Sequence, residues 1–350
     1  MNETPNASCD EQVLDWRDLV GLDDSWIKLK ALIESDRLPQ VILFDGRAGI
    51  GKRRLMAKLV AGLFCADTCG HCHSCKEIQN RSSDEVLWID GDGGQIKIEA
   101  AEAIQEHLSL RSSSVFQRDG NRPFAATERV VVVSDIENMG VRAANRLLKT
   151  IEEPPSGSRI ILSTSRFFQV IDTIRSRAVK WHVPPPPLGA SLGWLQTKLA
   201  LYGLEPMTDA QLTEMLKRNG LAPGLVLTWL ERYQQLDWLK NSDRIFDALI
   251  VESSFEKISS VANTLVRQHK VGIAEFIDHV ELALHRVYRR LHGFEGGDGI
   301  DVTTHTMKAN FFSIDQVRRK RRALSKARRL AVGGKIPLNI QLLAEVLSGA

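Results

Sequence analysis

No stretch of this 350-residue chain approaches the ~20 consecutive apolar residues of a membrane-crossing helix, so such a helix is not expected. The opening residues, MNETPNASCDEQ, have neither a basic flank nor an apolar run, which argues against a secretory signal. Net charge is also scarce. At +3 it selects no class of partner by itself. No internal repeat at a solenoid period is present either. These absences lead to the expectation of a cytoplasmic protein with reduced thiols, in which clustered cysteines hold a metal rather than form disulfides. What is present is ordinary for globular domains: 43% hydrophobic and 25% charged residues, with length for two or three cores.

Residues 1–12 carry no apolar periodicity and are expected to be disordered. Trp26, Leu29, Leu32 and Ile33 then share one face of a helix. QVILFDG reads as a buried strand, followed by a glycine loop and the helical KRRLMAKLVAGLF. EVLWID (85–90), RVVVVSD (129–135) and SRIILSTS (158–165) are further strands. Helices alternate with them, one carrying Ala144, Leu147, Leu148 and Ile151 and stopping at Pro154 and Pro155. Such alternation predicts a mostly parallel sheet covered on both faces. VPPPPLG (183–189) is an extended joint and marks a domain boundary. Beyond it only helical patterns recur, at 191–202, 208–219, 223–236, 242–269, 272–292, 313–331 and 337–348.

The segment DGRAGIGKRRL contains a Gly-x-x-x-x-Gly-Lys frame from Gly46 to Lys52. Gly46, Gly49, Gly51 and Lys52, placed between a strand and a helix, suit a phosphate cradle of backbone N–H groups. The residue after the lysine should be Ser or Thr, whose hydroxyl holds magnesium. Here it is Arg53, a donor-only cation that cannot ligate a metal. At the end of the valine-rich strand, Asp135 is placed to support a metal. Ile136 follows it, where a hydrolase has a glutamate, and on continued strand geometry Glu137 points to the opposite face. A degenerate nucleotide site without turnover is the expectation; whether the loop still holds ATP stays open.

CADTCGHCHSC sets Cys65, Cys69, Cys72 and Cys75 at C-x3-C-x2-C-x2-C. Four closely spaced thiolates suit a structural zinc ion with no coordination position left for water. An iron–sulfur cluster is the competing assignment, although the spacing runs in the reverse of the usual order. Four unliganded thiols are the bland alternative. His71 and His73 are potential substitute ligands expected to face solvent, and Cys9 is left over. A different kind of density lies near the C-terminus, where eight of the twelve residues from Arg318 to Arg329 are basic. A basic helix can bind DNA phosphates, but no aromatic interleaves this one to stack on bases. A solvated or subunit-facing helix is the plainer reading.

In order, LFDGRAGIGK, the cysteine cluster, NRLLKTIEEPPSGSRIILSTS and TIRSRA resemble the bacterial clamp-loader branch of the AAA+ ATPases over about residues 37–185. The resemblance implies a P-loop α/β domain over 13–183 with a zinc module inserted at about 65–75. A helical lid over 184–238 and an all-α collar over 239–350 would follow, the collar joining five subunits in a hetero-pentameric ring. It also implies a trans-acting arginine in a Ser-Arg-Cys motif, which here reads Ser176-Arg177-Ala178. The lid arginine that senses the γ-phosphate is replaced around Pro223, Gly224 and Leu225. Three ATPase parts are thus missing while the finger is kept. The implied role is a non-hydrolysing ring subunit within a DNA-directed DNA polymerase holoenzyme, lending Arg177 to a motor neighbour. Implied partners are gamma/tau and delta subunits, primer-template DNA and, indirectly, the sliding clamp, with no membrane. An active DNA-dependent ATPase of the gamma/tau type and a stand-alone DNA-binding relative remain as alternatives.

Overall fold

The computed structural model describes residues 14–91, 95–110, 129–232, 255–264 and 313–332, with isolated helical residues Ile277, Val280 and Leu284. The chain divides into two compact units, Met1–Ala190 and Ser191–Ala350.

The first unit is built on a five-stranded sheet: β1 (Val41–Asp45), β2 (Val86–Asp90), β3 (Arg129–Ser134), β4 (Ser158–Thr164) and β5 (Val179–His182). The strand order is β2-β3-β4-β1-β5, and every pairing is parallel. α1 (Asp23–Glu34) precedes the sheet; the crossovers that parallel strands need run through α2 (Lys52–Phe64), α3 (His73–Gln79), α4 (Ile98–Ser109), α5 (Val141–Glu152) and the single turn α6 (Asp172–Arg175). β3 is buried along its whole length, as its unbroken valine run requires of a central strand. Val131, Val133, Leu162 and Ile160 meet Ile104, Leu108, Leu147 and Ile151 of α4 and α5 in one core. On α2, Leu55, Met56, Leu59 and Val60 are fully buried.

β5 is an addition to the strands read from sequence, and so is α3. The β5 strand lies at the sheet edge and is largely exposed, so no apolar run announces it.

In the second unit, α7 (Leu188–Leu201) straddles the division, and Leu195 and Leu199 are buried. α8 (Asp209–Arg218) starts with a reciprocal capping box between Thr208 and Gln211. α9 (Pro223–Arg232) opens on a proline, which is favoured at a first helical position. α10 (Phe255–Asn263) and α11 (Ile314–Val332) are also described. The helix expected at 337–348, that at 272–292 apart from Ile277, Val280 and Leu284, and with them most of the expected collar, lie outside the described residues. Within α11, Arg318, Arg319, Arg321 and Arg322 are exposed, whereas Val317, Lys320 and Leu324 are buried. Among the described residues no helix is long and apolar enough to cross a membrane.

Candidate nucleotide loop, cysteine cluster and interface arginine

All parallel strands of an open sheet deliver their C-terminal ends to one edge, where ligand sites of such folds form. Here that edge collects the glycine loop after β1, Asp90 at the end of β2, Asp135 after β3 and Ser165 after β4. Gly49 and Gly51 adopt left-handed conformations, with φ of 75° and 98°. Gly46 is required for a different reason: a Cβ there would lie 2.7 Å from both the Val183 carbonyl and Ile50 Cδ1.

Lys52 is 7% exposed. Its Nζ donates to the carbonyls of Gly46 (2.6 Å) and Arg47 (2.7 Å) and to Ser165 Oγ (2.9 Å). An ammonium group has three donors, and all are spent on the protein. Burial pushes the Lys52 pKa down to about 8, against the opposing pull of Asp135, Glu137 and Asp45.

Arg53 lies in the first turn of α2. Its Nη2 is 3.3 Å from Asp135 Oδ2 and 3.8 Å from Asp90 Oδ1. Asp90 also pairs with Arg81. The residues therefore do not fit a magnesium ion in the usual place of this fold. The expected hydroxyl ligand is missing, and a guanidinium sits against the acidic group that would support the metal.

Glu137 differs from the sequence expectation. β3 ends at Ser134, and Asp135 takes a left-handed conformation (φ 54°, ψ 51°) that starts a short 3-10 turn over Ile136–Asn138. Strand alternation stops there. The Glu137 carboxylate accepts from the Ser165 N–H at 3.0 Å, and Ser165 Oγ in turn accepts from Lys52. Glu137 thus faces the loop edge rather than the opposite face. Its second oxygen, Oε2, is buried with no hydrogen-bond partner.

The cysteine module leaves α2 at Cys65 and ends inside α3. A left-handed Gly70 (φ 75°) turns the chain between them. The four Sγ atoms of Cys65, Cys69, Cys72 and Cys75 all lie within 4.8 Å of one another, with Cys65 and Cys69 at 3.8 Å. A tetrahedron of ~2.3 Å zinc–sulfur bonds has edges of about 3.8 Å, so the donor set fits zinc. The His71 N–H above all, together with the Cys72 N–H, holds the Cys69 thiol down to about 6, whereas burial pushes Cys72 and Cys75 up. His73 is exposed and pairs with Glu77 at 3.1 Å, and His71 Nδ1 lies 3.1 Å from the Cys69 carbonyl. Four sulfurs around zinc would staple the start of α3 to the end of α2.

Arg177 is placed at the other edge of the sheet. It precedes β5, whose Val179 pairs with Ile42. Ile42 lies four residues, about 13 Å along the strand direction, before the loop's Gly46. The Arg177 guanidinium pairs with Glu152 at the end of α5 and donates to the Thr173 carbonyl at 3.0 Å. An arginine side chain cannot span that distance to its own loop. In the second unit, Pro223, Gly224 and Leu225 open α9.

Comparison with known proteins bears on this arrangement. Residues 22–187 match the family model described as "DNA polymerase III, delta subunit". Among curated relatives, the chain is 30% identical to the DNA polymerase III subunit delta' of Bacillus subtilis, over 47% of this chain and 48% of the relative. It is 26% identical to the Escherichia coli subunit delta', over 57% of each chain. A tau/gamma subunit of Haemophilus influenzae is also 26% identical, over 47% of this chain and 23% of that one. The chain thus spans about half the length of the delta' relatives that it matches. Over residues 22–187, with the phosphate-loop sheet and the cysteine cluster, these matches support a relation to the clamp-loader family of AAA+ proteins, with delta' subunits among the most similar relatives.

Proposed function

We propose that this chain is a non-hydrolysing delta'-type subunit of the DNA polymerase III clamp loader, which helps load the sliding clamp on primed DNA in the cytoplasm. The observation that carries the reading is the pairing of Arg53 with Asp135. Phosphoryl transfer to water depends on positioning and on neutralising developing charge with a metal ion. A guanidinium on the metal-supporting aspartate removes that ion from its usual place. Lys52, with every donor turned inward, offers little to a γ-phosphate.

The chain would also supply Arg177 as an arginine finger to a neighbouring ATPase subunit, and the placement of Arg177 supports this. An arginine at the edge remote from its own loop can act on phosphate only in a neighbouring chain. The partners would be gamma/tau and delta subunits in a hetero-pentameric ring around primer-template DNA. Zinc, held by Cys65, Cys69, Cys72 and Cys75, would have a structural part only.

The test is ATP hydrolysis by the purified chain, alone and with separately purified gamma/tau, magnesium and primed DNA. The chain alone is expected to be silent and to raise the partner's turnover. Arg177→Ala should lower turnover at the facing site on the order of 10³-fold or more while the complex stays assembled. Unchanged turnover counts against the finger. A second reading, an active ATPase of the gamma/tau type, draws on Glu137 facing the loop edge; turnover by the chain alone would establish it.

A further inference from the structure

We propose that Arg53 is a built-in cation. Its guanidinium takes the place of a divalent metal ion between Asp90 and Asp135, ties the ends of β2 and β3 together and closes that position to metal.

Asp90 and Asp135 stand at the ends of neighbouring strands, Asp90 in register with Ser134 and Asp135 one residue further on. Both carboxylates are largely shielded, with side chains 15% and 30% exposed. Two partly buried carboxylates side by side repel one another unless a cation stands between them. One nitrogen of Arg53, Nη2, faces both, and Arg81 pairs with Asp90 from the other side.

The position of Arg53 along α2 strengthens the argument. Lys52, Arg53 and Arg54 open the helix, where the macrodipole is positive and cations are disfavoured. No acidic residue in the first turn offsets them. The compensation for Arg53 comes instead from the sheet edge. Among the described residues at this edge, one Glu137 oxygen accepts from Ser165, Lys52 bonds its own loop, and Asp45 pairs with Lys180 at 2.9 Å. Arginine cannot give up its proton at any working pH, so this cation is permanent. A magnesium ion entering the same place would meet a fixed positive charge and find no hydroxyl ligand.

The proposal shares its loop with the non-hydrolysing reading but is independent of Arg177 and of ring assembly. Its test is manganese binding by the full, zinc-loaded chain, followed by the loss of the free-ion electron paramagnetic resonance signal. The wild type is expected to show no saturable site in the low-millimolar range. Arg53→Thr, which restores a hydroxyl and uncovers the acids, should bind about one ion at least tenfold more tightly. A second substitution, Asp135→Asn, should abolish that gain. In magnesium-free buffer Arg53→Thr should also melt about 2–4 °C lower than the wild type, with recovery on adding magnesium.

A saturable manganese site at this edge in the wild type overturns the proposal. So does an Arg53→Thr chain that binds manganese no better, or whose gain survives Asp135→Asn. An unchanged melting temperature overturns the tying role. Should the threonine variant fail to fold, Arg53→Gln, which keeps donors without charge, carries the same expectation. A metal-binding wild type would leave stimulation of the partner, and the role of Arg177, to be judged on its own assay.

Discussion

Lys52 should make the stability of this chain depend on pH in a window where few buried groups titrate. Burial lowers its pKa from 10.5 to about 8, which corresponds to roughly 3 kcal/mol of penalty for keeping the charge inside. Below pH 8 the lysine is protonated in folded and unfolded chains alike, and the penalty is present in full. Between about 8 and 10.5 the folded chain loses this proton while the unfolded chain keeps it. The unfolded state then binds more protons, so stability rises with pH. Above 10.5 the relief is complete. Urea unfolding of the wild type and of Lys52→Met, compared from pH 7 to 10.5, isolates this one group because other titrations cancel in the difference. The wild type is expected to gain roughly 3 kcal/mol on the variant across the window. A direct check is the Lys52 Cε resonance, which should titrate near pH 8. A flat difference, or an ordinary lysine midpoint, would refute the reasoning and mean that Asp135, Glu137 and the loop carbonyls fully offset the burial.

The remaining expectations concern the metal and the loop. Cys75→Ser removes a buried thiolate from the four-sulfur set, so zinc released on denaturation should fall from one equivalent per chain to well below it. Full retention of zinc would exclude Cys75 as a ligand, and iron with visible absorbance in the purified protein would replace zinc by a cluster. Gly46→Ala drives a methyl group to 2.7 Å from the Val183 carbonyl. Because Val183 N–H is also bonded to Asp45 at 2.8 Å, that backbone cannot swing aside freely. A loss of about 1–3 kcal/mol is expected in chemical denaturation, and a variant as stable as the wild type would show that the loop approaches β5 less closely.

Much of this architecture could be read in the sequence because its signals are local. Val130–Val133 can be little else than a central strand, and Gly49 with Gly51 marks backbone that only glycine adopts without strain. The cysteine spacing likewise carries its own geometry. What escaped depends on pairing. β5 joins the sheet through Ile42–Asp45, and its residues are mostly exposed, so alternation gave no contrast to detect. α3 begins directly after Cys72 and is only seven residues long. Glu137 was misdirected by a single dihedral: Asp135 entering the left-handed region ends the two-residue period that put Glu137 on the far face. Aspartate tolerates that conformation better than most residues, which is the one hint the sequence held. That Arg53 cannot ligate metal follows from its side chain alone. That it finds Asp135 and Asp90 follows only once β2 and β3 are aligned.

The two edges of the sheet explain why a phosphate loop would persist without its reaction. At the loop edge the groups that would meet Mg·ATP are answered from within the chain: Lys52 by its own carbonyls, Arg53 by two aspartates, and one Glu137 oxygen by Ser165. These bonds connect β1, β2, β3 and β4 with the start of α2, so the loop fixes the C-terminal edge of the sheet. At the opposite edge the Arg177 side chain is just over a third exposed, and its partner Glu152 is more than two-fifths exposed. Exposed pairs of this kind are worth at most about 1 kcal/mol, so Arg177 can leave Glu152 for a stronger anion at small cost. A phosphate chain presented by a neighbour is such an anion, and bidentate guanidinium contacts to phosphate are among the stronger hydrogen bonds available to a side chain. The cations at the loop edge are spent on internal bonds, whereas the one that precedes β5 is only lightly held. That asymmetry favours a chain that has given up its own nucleotide chemistry while still acting on that of a neighbour.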